Sequence, residues 1–72
     1  METRIRDLRE DHDLSQSEVA KAIGITQRKY SYLETGHQPW TDELLVGLAR
    51  FYHTNVDYLL GLTDISAPFP EE

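Results

Sequence analysis

The sequence contains no cysteine among its 72 residues, which excludes disulfide bonds, thiolate metal sites and a cysteine nucleophile. It also contains no apolar run of the about 18 residues that a membrane-spanning helix needs. The N-terminal segment METRIRDLRED lacks the apolar stretch of a secretory signal. These absences predict a cytoplasmic protein. The short length predicts one small domain whose helices pack efficiently or gain support from a second subunit.

Positive charge is also scarce, since seven Lys and Arg residues stand against 13 Asp and Glu residues, for a formal net charge of −6. The imbalance is uneven along the chain. Residues 38–72 contain one cation and six acids, and residues 1–13 contain three cations and five acids. Residues 14–37 contain three cations and two acids. The middle segment is therefore the positive one, and it is where we expect contact with an anionic partner.

Capping signals in the middle segment predict where two short helices begin and end. Ser15 and Glu18 lie three residues apart in SQSE, a capping box that starts the second helix. Gly24 supplies the positive φ that ends this helix. One residue later, Thr26 is the N-cap of a third helix, which runs to about residue 35 and ends at Gly36.

The remainder of the chain predicts three further helices. The first covers about residues 3–12, the fourth starts after the cap residue Thr41 and runs to residue 53, and a short fifth helix starts at Thr54 or Asn55. Gly47 lies inside the fourth helix, where it costs about 1 kcal/mol relative to alanine, and we expect a neighbouring element to approach it closely. No stretch alternates apolar and polar residues for long enough to be a strand, so the sequence predicts an all-α fold.

Two short helices joined by the tight turn IGIT form a helix-turn-helix, which can place its second helix in the major groove of DNA. The alternative is an αα-hairpin that does not bind nucleic acid, because glycine turns between helices are common. The predicted outer face of the third helix favours DNA binding, since it is rich in hydrogen-bond donors and carries no acid. Its members are Thr26, Gln27, Arg28, Ser31 and Tyr32.

The segment RIRDLREDHDLSQSEVAKAIGITQRKYSYLETG resembles the phage Cro/lambda-repressor-type helix-turn-helix domain, the XRE family. FYHTNVDYLLGLTD resembles that family's last helix and its end. The motifs LSQ, A..IGI, LE.G and VDYLLG are specific in combination. The resemblance implies a five-helix lambda-repressor-like bundle that binds operator DNA as a dimer on a two-fold site. We predict that this domain covers residues 1–64 and that residues 65–72 form an irregular acidic tail.

The resemblance also implies roles for single residues on the DNA side. Gln16 matches a position that contacts a phosphate from the start of the second helix, although an exposed residue without that role is the alternative. Gln27, Arg28 and Tyr32 match base-facing positions. Fork and amide geometry then favours guanine for Arg28 and adenine for Gln27. Tyr32 has three open interpretations: a thymine-methyl contact, a phosphate contact, or an aromatic residue flanking the core. Lys29 faces a phosphate or solvent.

Arg9 and Glu34 match a pair that ties the family's first helix to its third, and we expect this pair to be chiefly structural. The family's loop after the third helix is often basic, whereas His37 and Gln38 are not reliably charged here. We therefore predict few phosphate contacts and a shallow dependence of DNA affinity on salt.

The sequence leads to two functional hypotheses. The first is a repressor of phage type, a homodimer that binds an inverted-repeat operator in double-stranded DNA; the second is a protein-interaction module such as an antitoxin. A possible dimer contact lies on the fifth helix at Val56, Tyr58 and Leu59, with completion of the monomer core as the alternative for Val56 and Leu59.

The histidines lack metal-ligand spacing, and no nucleophile–base pair or glycine-rich phosphate loop is present. We predict no metal, no cofactor and no enzymatic activity.

Overall fold

The computed structural model describes residues 3–68, and five helices and no strand are present in this range. They are α1 (Ile5–Asp11), α2 (Gln16–Ala22), α3 (Gln27–Glu34), α4 (Asp42–Phe51) and α5 (Val56–Leu59). The predicted all-α, five-helix fold is confirmed. No helix in the described range is long and apolar enough to span a membrane.

Side-chain caps start the last four helices. The Ser15 hydroxyl accepts a hydrogen bond from the Glu18 amide, and the Glu18 carboxylate accepts one from the Ser15 amide, both at 3.0 Å. The predicted capping box is therefore present. Thr26, Thr41 and Asn55 each accept a hydrogen bond from the amide three residues further on, at 3.1, 3.3 and 2.8 Å. These bonds satisfy amides that a helix N-terminus would otherwise leave without a partner.

Residues with positive φ reverse the chain after the helices. Gly24 has a φ of 79° and Gly36 a φ of 84°, as the sequence predicted for the ends of α2 and α3. Helix α4 ends at Phe51 instead of reaching residue 53, because His53 itself adopts a φ of 57°. The turn between α2 and α3 is consequently short, and it holds the two helices in a helix-turn-helix.

The core lies where all five helices meet. Val19 and Ala20 of α2 lie in one buried apolar cluster with Tyr30 of α3, as the helix-turn-helix packing requires, and Leu33 of α3 is buried as well. The other helices contribute further buried apolar residues: Ile5, Leu45, Leu48, Ala49 and Leu59. Because α2 and α3 each bury one face, the outer face of α3 stays accessible to solvent.

Two sequence-based expectations about buried positions need correction. A methyl group placed at Gly47 would lie 3.9 Å from Cγ2 of Ile23, an ordinary van der Waals distance, so the expected close approach to Gly47 is wrong. Leu59 is fully buried in the core, so it cannot contact a second copy of the chain. Val56 and Tyr58, by contrast, keep part of their surface exposed.

Three side chains hold the segment after α5 against the domain. Arg4 donates to the carbonyl oxygens of Tyr58 and Thr63, both at 3.0 Å, and its guanidinium lies 4.5 Å from the centre of the Tyr58 ring. Thr54 and Asn55 donate to backbone carbonyls of residues 65–67 at 2.7–2.9 Å. The division at residue 64 stays a prediction, and residues 69–72 of the predicted tail lie outside the described residues.

Candidate nucleic-acid interface

The outer face of α3 brings the predicted DNA-binding residues together. Side chains at five of these positions are exposed and the Ser31 side chain is partly buried; the exposed members are Thr26, Gln27, Arg28, Lys29 and Tyr32. The only acid of α3, Glu34, faces the other way, and its side chain is 3% exposed. We call these six residues the α3 face. It offers amide, guanidinium, ammonium and hydroxyl donors without a carboxylate among them.

Tyr32 supports Arg28 from one turn further along α3. The Nε of Arg28 donates to the Tyr32 hydroxyl at 3.3 Å, and its guanidinium carbon lies 5.9 Å from the centre of the Tyr32 ring. Within residues 3–68 the two terminal nitrogens of Arg28 have no hydrogen-bond partner. The hydrogen bond to Tyr32 thus positions the guanidinium through its Nε, and the two terminal nitrogens are available to donate to a pair of acceptors. This positioning role for Tyr32 was not among the three interpretations drawn from the sequence.

The loop after α3 extends the α3 face. The backbone amides of His37 and Gln38 both donate to the Tyr32 carbonyl, at 2.8 and 3.1 Å, which folds the loop back on the end of the helix. Gln38 consequently lines the same open depression as Arg28 and Lys29. Sequence reasoning assigned no contact to this loop, because its residues are not basic and its return toward α3 depends on backbone hydrogen bonds.

The Arg9–Glu34 pair connects α1 to α3 beneath the α3 face. Nε and Nη2 of Arg9 each donate to one carboxylate oxygen of Glu34 at 2.9 Å, and Nη1 donates to the Leu14 carbonyl, also at 2.9 Å. Only 14% of the Arg9 side chain and 3% of the Glu34 side chain are exposed. The predicted pair is therefore present, and it is largely buried. Since the Arg9 donors point inward, Arg9 is not aimed at a phosphate.

The environment of Glu34 keeps its carboxylate charged. Burial alone would raise its pKa, but hydrogen bonds from Arg9 and from neighbouring polar groups outweigh burial, and the pKa of Glu34 is lowered. One of these groups is Gln16, the first residue of α2, whose amide donates to Glu34 at 3.4 Å. Gln16 itself is partly buried. The structure thus ties the start of α2 to the same ion pair.

A helix-turn-helix family model matches residues 5–59, which contain all of α1 to α5. The chain belongs to the XRE-type helix-turn-helix family. Regulators of this family bind double-stranded DNA, and the family is generally not enzymatic. Membership supports DNA-binding transcription regulation as the broad function of this helix-turn-helix domain. Residues 3–68 contain no group of three or more His, Asp or Glu side chains placed to hold a metal ion.

Three relatives are similar to this chain over the helix-turn-helix domain. The HTH-type transcriptional regulator YobD of Bacillus subtilis is 42% identical over 66 residues, which are 90% of this chain and 58% of YobD. The cryptic phage CTXphi transcriptional repressor RstR of Vibrio cholerae is 44% identical over 50 residues, 69% of this chain and 45% of RstR. An HTH-type transcriptional regulator of Archaeoglobus fulgidus is 30% identical over 64 residues, 89% of this chain and 91% of that protein.

The chain spans about half the length of the first two relatives, at 58% and 45% of their residues. The similarity therefore concerns the helix-turn-helix domain that these proteins share. No solved structure matches the chain significantly.

Proposed function

We propose that this domain recognises a specific operator in double-stranded DNA by placing α3 in the major groove, and that it acts as a transcriptional repressor. The observation that carries the proposal is the α3 face: an exposed, donor-rich and acid-free surface on a chain with a net charge of −6. The similarity to the phage repressor RstR favours repression over activation.

Arg28 and Gln27 supply the base recognition in this proposal. Because Tyr32 holds the Nε of Arg28, the two terminal nitrogens can donate side by side to O6 and N7 of guanine. The Gln27 amide, exposed at the first turn of α3, matches the donor and acceptor of adenine in the major groove. Each bidentate contact contributes about 1–3 kcal/mol of discrimination against the wrong base.

Few groups contact phosphate in this proposal. Lys29 supplies an exposed cation within the α3 face, Gln16 supplies a partly exposed amide at the start of α2, and Thr26 and Ser31 add hydroxyl donors. Each phosphate neutralised by a cation contributes a slope of about −0.9 to the dependence of log affinity on log salt concentration. With so few cations at this surface the dependence is shallow, and base contacts contribute a correspondingly larger share of the binding free energy.

Two copies of the chain bind the two halves of an inverted repeat in this proposal. The end of the domain at α5 provides the contact between copies, through Val56 and Tyr58, which both retain exposed surface. The two α3 helices then enter successive major grooves on one side of the duplex. This arrangement requires half-sites about 10 base pairs apart.

Selection of bound duplexes from a random DNA pool tests the proposal. We expect the chain to enrich an inverted repeat with the spacing given above, and Arg28→Ala to lose its preference at one base pair in each half-site. Arg50→Ala is the matched control, because Arg50 is an exposed cation at the end of α4, outside the α3 face. Failure to enrich any sequence would refute the proposal. An Arg28→Ala variant with equal losses on all sequences would refute the role of Arg28.

A further inference from the structure

The position of Thr35 determines which nitrogen of His37 carries a proton. The Thr35 hydroxyl oxygen lies 2.7 Å from the Ser31 carbonyl oxygen and 2.8 Å from Nδ1 of His37. Two oxygens this close repel each other unless a hydrogen lies between them, so the hydroxyl donates to Ser31. A hydroxyl has one hydrogen to donate. Nδ1 of His37 must therefore be the donor in the second contact, and Thr35 accepts from it.

This arrangement leaves Nε2 of a neutral His37 without a hydrogen, because a neutral imidazole carries only one. The His37 side chain is exposed, and no hydrogen bond from residues 3–68 reaches its Nε2. Phosphate oxygens only accept hydrogen bonds at neutral pH. A neutral His37 thus presents a lone pair to a phosphate, whereas the imidazolium form presents an N–H donor and a positive charge.

His37 stands at the border of the α3 face. Its ring centre lies 6.1 Å from that of Tyr32, and its backbone amide donates to the Tyr32 carbonyl at 2.8 Å. Tyr32 is the titratable group whose ring contacts the His37 ring, and Tyr32 lines an open depression together with the cations Arg28 and Lys29 of α3. Among the described residues no carboxylate forms an ion pair with His37. A phosphate is accordingly the anion that this surface would place against the ring.

We propose that His37 is a phosphate-binding residue that contacts DNA only when its imidazole is protonated, because Thr35 fixes its neutral tautomer with the hydrogen on Nδ1. This inference rests on the function proposed above. It means that DNA binding takes up a proton at each His37 that meets a phosphate. Affinity then rises as the pH falls, because protonation gives the ring the Nε2–H donor and the positive charge that its neutral form lacks.

The tautomer is tested without DNA. Long-range ¹H–¹⁵N correlation spectra at about pH 8, where histidine is mostly neutral, report which ring nitrogen carries the hydrogen. We expect the Nδ1–H form for His37, and a shift toward Nε2–H in Thr35→Val, which keeps the side-chain shape and removes the acceptor. A neutral His37 with its hydrogen on Nε2 in the unmodified chain would overturn the proposal.

The contact itself is tested by measuring affinity for the duplex recovered in the selection experiment, at constant ionic strength, between about pH 6 and pH 8. If DNA binding takes up one proton, affinity falls by up to about tenfold for each unit by which the pH rises. We expect this dependence in the unmodified chain and its loss in His37→Gln. His53→Asn is the control and should keep the dependence, since asparagine tolerates the positive φ found at His53.

Thr35→Val tests the effect of the neutral tautomer of His37 separately from the effect of its charge, because the variant removes the Thr35 acceptor and keeps the imidazole. Without the Thr35 acceptor a neutral His37 can carry its hydrogen on Nε2, so affinity at about pH 8 should rise and the pH dependence should shrink. If the chain binds no duplex at any pH, the proposed DNA-binding function fails, and this inference fails with it. Binding that is independent of pH, or a pH dependence that survives in His37→Gln, would overturn the role of His37 while leaving DNA binding intact.

Discussion

Removal of the Glu34 carboxylate should destabilise the domain, because it breaks the largely buried ion pair with Arg9. Glu34→Ala leaves the Arg9 guanidinium with only the Leu14 carbonyl as a partner, in a site where 14% of the Arg9 side chain is exposed. Breaking a buried ion pair by removing one partner costs about 3–5 kcal/mol, because the other charge stays buried without compensation. We expect a loss at the lower end of this range, about 3 kcal/mol, in the free energy of unfolding, because Arg9 keeps some contact with solvent.

That loss is large compared with the total stability of so small a domain. At about 0.05–0.15 kcal/mol per residue, a chain of 72 residues has a free energy of unfolding of about 4–11 kcal/mol. Most of the cost comes from the stranded Arg9, so replacing both partners should recover much of it. The double variant Arg9→Met/Glu34→Met should therefore be more stable than Glu34→Ala alone.

Urea unfolding followed by tryptophan fluorescence measures these differences. Trp40 is the single tryptophan, and its ring packs edge-on against the buried Tyr30 at a centroid distance of 6.0 Å, so its emission reports on the core. Glu10→Ala is the matched control, because Glu10 pairs with Arg6 at side-chain exposures of 55% and 71%, and we expect a change of at most about 0.5 kcal/mol. A Glu34→Ala variant as stable as the control would refute the reasoning.

Three further predictions concern single residues. The pKa of Glu34 is lowered, so its stabilising contribution is present above the ordinary carboxyl pKa of 4.5 and is lost as the pH falls through the lowered pKa. Urea midpoints measured in acid should show this loss of stability, and Glu34→Gln should make the midpoint depend less on pH. Gly47→Ala should raise the free energy of unfolding by about 0.5–1 kcal/mol in calorimetry, since a methyl group fits there, and a decrease would show a clash. Burial raises the pKa of Tyr52 to about 12, and its hydroxyl has no partner among the described residues. Tyr52→Phe should therefore leave stability unchanged or raise it by up to about 1 kcal/mol, and a substantial loss would reveal a hidden hydrogen bond.

The sequence was sufficient to predict features that depend on neighbours close along the chain. The capping box at Ser15 and Glu18, the cap at Thr26 and the reversal at Gly24 involve residues within a few positions of one another, so their chemistry can be read from spacing. The grouping of donors on the α3 face follows from helical periodicity for the same reason.

Other features depended on which elements meet in three dimensions. The family resemblance implied that Arg9 and Glu34 pair, but only their packing shows that the pair is largely buried, and burial decides how much it contributes to stability. Likewise, Leu59 belongs to the core, and Gly47 has room for a methyl group.

The loop after α3 shows the same division at the candidate site. The sequence alone identifies His37 only as a histidine in a loop. A neutral histidine has two tautomers, and the sequence does not determine which of them His37 adopts. The tautomer depends on the Thr35 hydroxyl, which already donates to the Ser31 carbonyl one turn earlier. It also depends on the backbone turn that brings the His37 ring to Thr35. Spacing along the chain determines helices and their caps, whereas burial and proton positions require atoms that folding brings together.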